Sequence, residues 1–111
     1  MKENAVLIRQ QDVIKTYVDF SDPKGISSAI DAERASTIHT EKLMNLSEKL
    51  GIHLMGFVDG DGNGDNNKVA CKISGYEYLG SFMLLCKTDN SYSCLPFSEE
   101  ELEKVYKYLN K

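Results

Sequence analysis

Between positions 59 and 65 the chain reads Asp59, Gly60, Asp61, Gly62, Asn63, Gly64, Asp65, with oxygen-bearing side chains at alternate positions and glycines between them. A hard cation such as calcium needs this kind of pattern, because the oxygens can converge while glycine lets the backbone turn sharply. Asp59, Asp61, Asn63 and Asp65 are therefore the candidate metal ligands. The competing expectation is a polar hairpin loop whose residues tolerate positive φ and stay in water.

This run resembles the first half of an EF-hand calcium loop. Its second half departs from the family's pattern: Ala70 stands where a bidentate glutamate should close the site, and Asn66 replaces an apolar anchor. The flanking segments also pattern as strands where that family has helices. A phosphate-binding loop is excluded, since no Lys followed by Ser or Thr stands in the required place and the acidic groups would repel phosphate.

An anionic ligand would be met first by Arg9 and Arg34, the only arginines, whose planar guanidinium groups bind carboxylate or phosphate through two hydrogen bonds at once. Tyr76, Tyr78 and Tyr92 could supply a ring platform beside them, since tyrosine buries an aromatic face and keeps a hydroxyl for recognition. The bland alternative is that these rings are half-buried edges of the sheet.

Catalytic constellations are not evident. Cys71, Cys86 and Cys94 together with His39 and His53 offer no Cys-x-x-Cys and no His-x-x-x-His to nucleate zinc. Cysteines in strands are ordinarily small core residues, and no Gly-x-Ser-x-Gly is present. Glu99, Glu100 and Glu101 could pair as acid and base, but a helix N-terminus already explains them. The reading is a protein without enzymatic activity and without a cofactor.

The composition narrows the partners. With 111 residues, 41% of them hydrophobic, the chain suits a single domain over 1–111. Its formal charge is −4, and its basic residues form no run, so phosphate-mediated binding of nucleic acid is not expected. No apolar stretch is long enough for a membrane span, and the first residues do not pattern as a signal peptide. An odd cysteine count then points to reduced thiols and a cytoplasmic location. One disulfide stays open: a three-residue loop at 89–91 would set Cys86 opposite Cys94, whereas a two-residue loop would set Cys94 opposite Leu85.

These residues must be carried by elements that the pattern also suggests. Positions 4–20 hold two β-branched clusters and read as strands, ended by Ser21, Asp22, Pro23, Lys24 and Gly25. Ala32, Ala35, His39, Leu43, Leu46 and Leu50 recur at helical spacing, with Lys42, Ser47 and Lys49 elsewhere around the cylinder and Gly51 as the cap. The branched residues at 36–40 could break this helix, with Thr40 capping a second one. Segments 52–58 and 68–74 read as a hairpin around the acidic loop. Segments 76–79 and 81–87 continue the sheet, interrupted by Gly80 as a bulge or close backbone approach. Adjacent Leu84 and Leu85 imply a strand covered on both faces, hence central. After a turn at 88–91, 92–97 returns. Ser98 with Glu101 is a capping box, followed by the apolar stripe Leu102, Val105, Tyr106, Leu109.

The architecture implied is α+β: an antiparallel sheet of about five strands with a mid-chain helix and a C-terminal helix packed on one face. The open edges of so short a sheet suggest a homodimer. For function, the profile fits a small binding protein that inhibits or sequesters a partner, as immunity proteins and inhibitors from phages and mobile elements mask a basic toxin or effector. Two alternatives are sequestration of a small anionic ligand such as a nucleotide, and a calcium-responsive module built on 59–65.

Overall fold

The structure is a computed structural model and describes residues 2–87 and 94–110. In chain order the elements are β1 (Ala5–Ile8), β2 (Val13–Thr16), α1 (Gly25–Ala29), β3 (Ala35–Ile38), α2 (Glu41–Leu50), β4 (Leu54–Asp59), α3 (Lys68–Ser74), β5 (Phe82–Lys87), β6 (Cys94–Leu95) and α4 (Glu99–Leu109). The sheet runs β2-β1-β5-β4-β3 with every pairing antiparallel, and β6 joins β5 beyond the end of β1. This is the α+β arrangement implied by the sequence.

β5 lies at the centre, bonded to β1 on one side and β4 on the other. Its residues alternate faces, so Phe82 and Leu84 join one core while Met83 and Leu85 join a second, all four fully buried. The first core lies under α2, α3 and α4 and includes Leu43, Leu46, Ile73, Leu102 and Val105. The second is covered by α1 and the chain around it, through Val18 and Ile30. Both edge strands, β2 and β3, are only four residues long, and short edges limit unwanted pairing.

Local chemistry explains where the helices begin and end. Thr40 accepts a hydrogen bond from the Leu43 N–H, and Gly51 closes α2 in the left-handed region at φ 70°. At α4, the Ser98 hydroxyl and the Glu101 carboxylate cap each other's backbone N–H groups.

Two segments differ from the sequence expectation. Positions 35–38 are strand β3 and not a helical turn, because the branched Thr37 and Ile38 fit a ladder with β4 better than a helix. The longer helix accordingly splits, and His39 lies exposed between β3 and α2. Positions 68–74 are helix α3 and not a strand, so the acidic run connects a strand to a helix and closes no hairpin. Val69 and Ile73, like Ala70 and Ser74, are four apart, and so lie on common faces of a helix.

Asn67 decides that outcome. Its side chain is fully buried: Oδ1 accepts from the Ala70 N–H at 3.0 Å, capping α3, while Nδ2 donates to the carbonyls of Ile8 at 2.9 Å and Gly80 at 2.8 Å. One carboxamide thus ties α3 to the end of β1 and to the segment before β5. Positions 76–79 form no strand, only a bridge from Leu79 to Asn66. Gly80 marks a close approach: a Cβ there would stand 2.7 Å from the Asn63 carbonyl oxygen, and one on Gly64 would stand 2.7 Å from the Gly80 Cα.

The cysteines remain free thiols. Cys86 pairs with Leu95, and Cys94 with Lys87, a register that neither loop length considered above would give. Cys86 packs on the first core and Cys94 on the second, so they point to opposite faces. The turn at 88–91 and Tyr92 lie outside the described residues.

Candidate functional site

The acidic loop directs its oxygens at its own chain. Asp59 Oδ1 accepts from the Asp61 N–H at 2.8 Å, and Asp61 Oδ1 accepts from Arg34 Nε at 3.1 Å. Asp65 and Asn63 meet Gly80 through main-chain carbonyls, Asp65 accepting its N–H at 2.8 Å. Among the described residues no three His, Cys, Asp or Glu are grouped so as to hold a metal ion.

The two arginines do not share a site. Arg9 stands in the β1–β2 turn, bonded to both carboxylate oxygens of Asp12 at 2.6 and 2.5 Å, which holds the Asp12 carboxyl below its ordinary range. Arg34 precedes β3 and also donates to the Gly60 carbonyl at 3.3 Å. β1 and β3 are separated by β5 and β4, so the guanidinium groups cannot converge. Tyr76 is exposed, whereas Tyr78 packs on Phe82 with ring centroids 5.7 Å apart, and burial raises its phenol pKa. Burial likewise pushes the Cys94 thiol up, away from the thiolate that nucleophilic chemistry needs.

What the helices bring together is different. α2 turns Lys42, Asn45 and Lys49 to one side, and α3 turns Val69, Lys72 and Ile73 toward them. Spacings of three and four residues put each set on one helical stripe. The end of α4 closes the groove with Tyr108 and Leu109. The cavity measures about 560 Å³, within the roughly 300–1,000 Å³ typical of ligand sites. Leu46 and Ile73 are buried in its floor, and no Asp or Glu lines it among the described residues.

The lysines are positioned by what their stems touch. The Lys42 stem runs past Gly75, the αL cap of α3, where a Cβ would stand 3.5 Å from Lys42 Cδ. Lys49 places its ammonium 5.1 Å from the centre of the Tyr108 ring, a cation–π contact. Among the described residues none of Lys42, Lys49 and Lys72 forms an ion pair, whereas Lys2, Lys15, Arg9 and Arg34 all do. A chain of formal charge −4 therefore gathers three lysines without a carboxylate partner among the described residues around one apolar hollow.

Sequence reasoning put the anion site elsewhere, on Arg9, Arg34 and the tyrosines. The stripe of Lys42, Asn45 and Lys49 was readable at helical spacing, but its opposite wall needed Lys72 on a helix, and that segment patterned as a strand. A second hollow of about 300 Å³ sets Glu48 with Lys87, His39 and His53, and so mixes charge signs. Comparison with known protein families, curated proteins and solved structures finds no match to this chain. No helix among the described residues is long and apolar enough to cross a membrane.

Proposed function

We propose that the chain is a non-catalytic binding protein that sequesters a small anionic ligand in the groove between α2, α3 and the end of α4. The observation that carries this reading is the convergence of Lys42, Lys49 and Lys72, unpaired with any carboxylate among the described residues, on a floor of aliphatic side chains. Three positive charges around one hollow with no carboxylate in its lining among the described residues favour a bound anion. Lysine ammonium groups hold an anion as point charges with three donors each.

The test is thermal unfolding of the wild type and of a Lys42→Gln, Lys49→Gln, Lys72→Gln variant against a panel of phosphorylated and carboxylate metabolites. A ligand present at about 100 times its Kd stabilises the native state by about 2.7 kcal/mol. A melting shift in the wild type that is lost in the variant supports the reading. If no anion shifts the wild type, the reading falls.

Masking of a basic protein is the second reading. It rests on the acid-rich first turn of α4, where Glu99, Glu100 and Glu101 stand together. Binding of that kind would survive removal of the three groove lysines.

A further inference from the structure

We infer that the ligand of this groove is a nucleotide carrying at least two phosphoryl charges, with its phosphates at the Lys42 and Lys72 end and its base on the aliphatic floor. This rests on the reading that the groove captures an anion, and it goes further in naming the class and the orientation.

The charges divide along the groove. Lys42 and Lys49 are seven residues apart on α2, about 10 Å along the axis at 1.5 Å per residue. The Lys49 ammonium is already placed over the Tyr108 ring, whereas Lys42 and Lys72 have neither a ring nor a carboxylate among the described residues. The less compensated end therefore lies between Lys42 and Lys72, on facing helices. Lysine is a point charge with three donors, suited to the dispersed oxygens of a phosphoryl group. A single negative charge would leave one of the two ammonium groups unneutralised, which is why the inference specifies two, a number that one terminal phosphate already approaches near neutral pH.

From that end the floor runs over Leu46, Val69 and Ile73 toward Tyr108. Aliphatic surface suits the face of a base, and Asn45 is the one neutral side chain on the α2 wall that both donates and accepts, as a base edge requires. Length argues against a docked peptide helix. α3 has seven residues, so its wall extends about 10 Å, and Tyr108 and Leu109 close one end. Four anchors at i, i+3, i+4 and i+7 would by themselves span about 10 Å, leaving no room for the rest of such a helix.

Isothermal titration of the full chain with adenosine diphosphate, adenosine monophosphate, adenosine, inorganic pyrophosphate and a long-chain fatty acid tests this. The diphosphate and the monophosphate, each with about two or more phosphoryl charges near neutral pH, are expected to bind at least tenfold more tightly than pyrophosphate, with adenosine undetected. Lys42→Gln and Lys72→Gln should each weaken the diphosphate about tenfold, Lys49→Gln by less. Asn45→Leu should weaken the diphosphate and leave pyrophosphate unchanged. All four side chains are exposed, so unchanged melting of each free variant is the folding control. Pyrophosphate binding as tightly as the diphosphate, or the fatty acid binding in its place, would overturn the nucleotide assignment while anion capture survives. No binding by any of these anions would remove both.

Discussion

Replacing Asn67 with Asp changes one atom group in a fully buried side chain and should be among the most damaging substitutions in the protein. The Oδ1 cap to Ala70 can persist, but the two N–H donors that serve the Ile8 and Gly80 carbonyls at 2.9 and 2.8 Å become an oxygen facing two oxygens. An acceptor left without a partner costs about 1–3 kcal/mol, so the two together cost about 2–6 kcal/mol before any charge is buried, with the part-buried Gly80 carbonyl at the low end. That is a large part of the roughly 5–15 kcal/mol available to a domain of this size. The new carboxyl resists ionisation in the fold, so its folded pKa rises above its unfolded value near about 3.9. A raised carboxyl pKa means that the native state holds the proton more tightly. The variant therefore loses stability as pH rises through the unfolded value, and its deficit is smallest in acid. Asn67→Ala, by contrast, loses the cap, worth about 1 kcal/mol, and both carbonyl bonds, with no added pH dependence. Urea unfolding followed by circular dichroism, at neutral pH and in mild acid, measures both. A deficit for Asn67→Asp below about 1 kcal/mol at neutral pH, or one that does not narrow on acidification, would refute the role given to this carboxamide.

Gly56→Ala should destabilise strongly, because a Cβ there would stand 2.5 Å from Phe82 Cζ; Phe82→Leu should make the same change cheaper, which a double-mutant cycle of melting temperatures would record. Ser98→Ala removes half of the capping box on α4 and should cost about 1 kcal/mol by denaturant unfolding. Lys15 pairs with Glu103 between β2 and α4, and its hydrogen bond and charge hold the Glu103 carboxyl below its ordinary range. The stability from this pair is present above the unfolded glutamate pKa and is lost as pH falls through the folded one, so the Glu103→Gln variant should show a flatter acid limb in its stability–pH profile.

Much of the fold was legible because some residues leave no choice. Leu84 beside Leu85 required cover on both faces and so a central strand, and β5 lies there. Thr40, Gly51 and the Ser98 and Glu101 pair marked helix ends by chemistry that acts within four residues. Gly80 announced a close approach, and Gly64 supplies the other side of it. The candidate site was legible only in part. The α2 stripe of Lys42, Asn45 and Lys49 could be read, but nothing local said that it faced a second stripe. Arg9 and Arg34 drew attention by residue type, yet each is engaged by an aspartate, Asp12 across the β1–β2 turn and Asp61 beyond the end of β4.

By itself, then, the sequence determined the strands with two covered faces, the capped helices and the acidic character, because hydrophobic period and capping act over one or two turns. Only the tertiary structure decided that 68–74 is a helix. A seven-residue segment with four apolar positions among Lys68, Lys72 and Ser74 fits either period, and the bonds that settle it join Asn67 to Ile8, 59 positions away, and to Gly80, 13 positions away. The groove follows from that decision, since its two walls meet only when α2 and α3 pack side by side, with the end of α4 closing it through Tyr108 and Leu109.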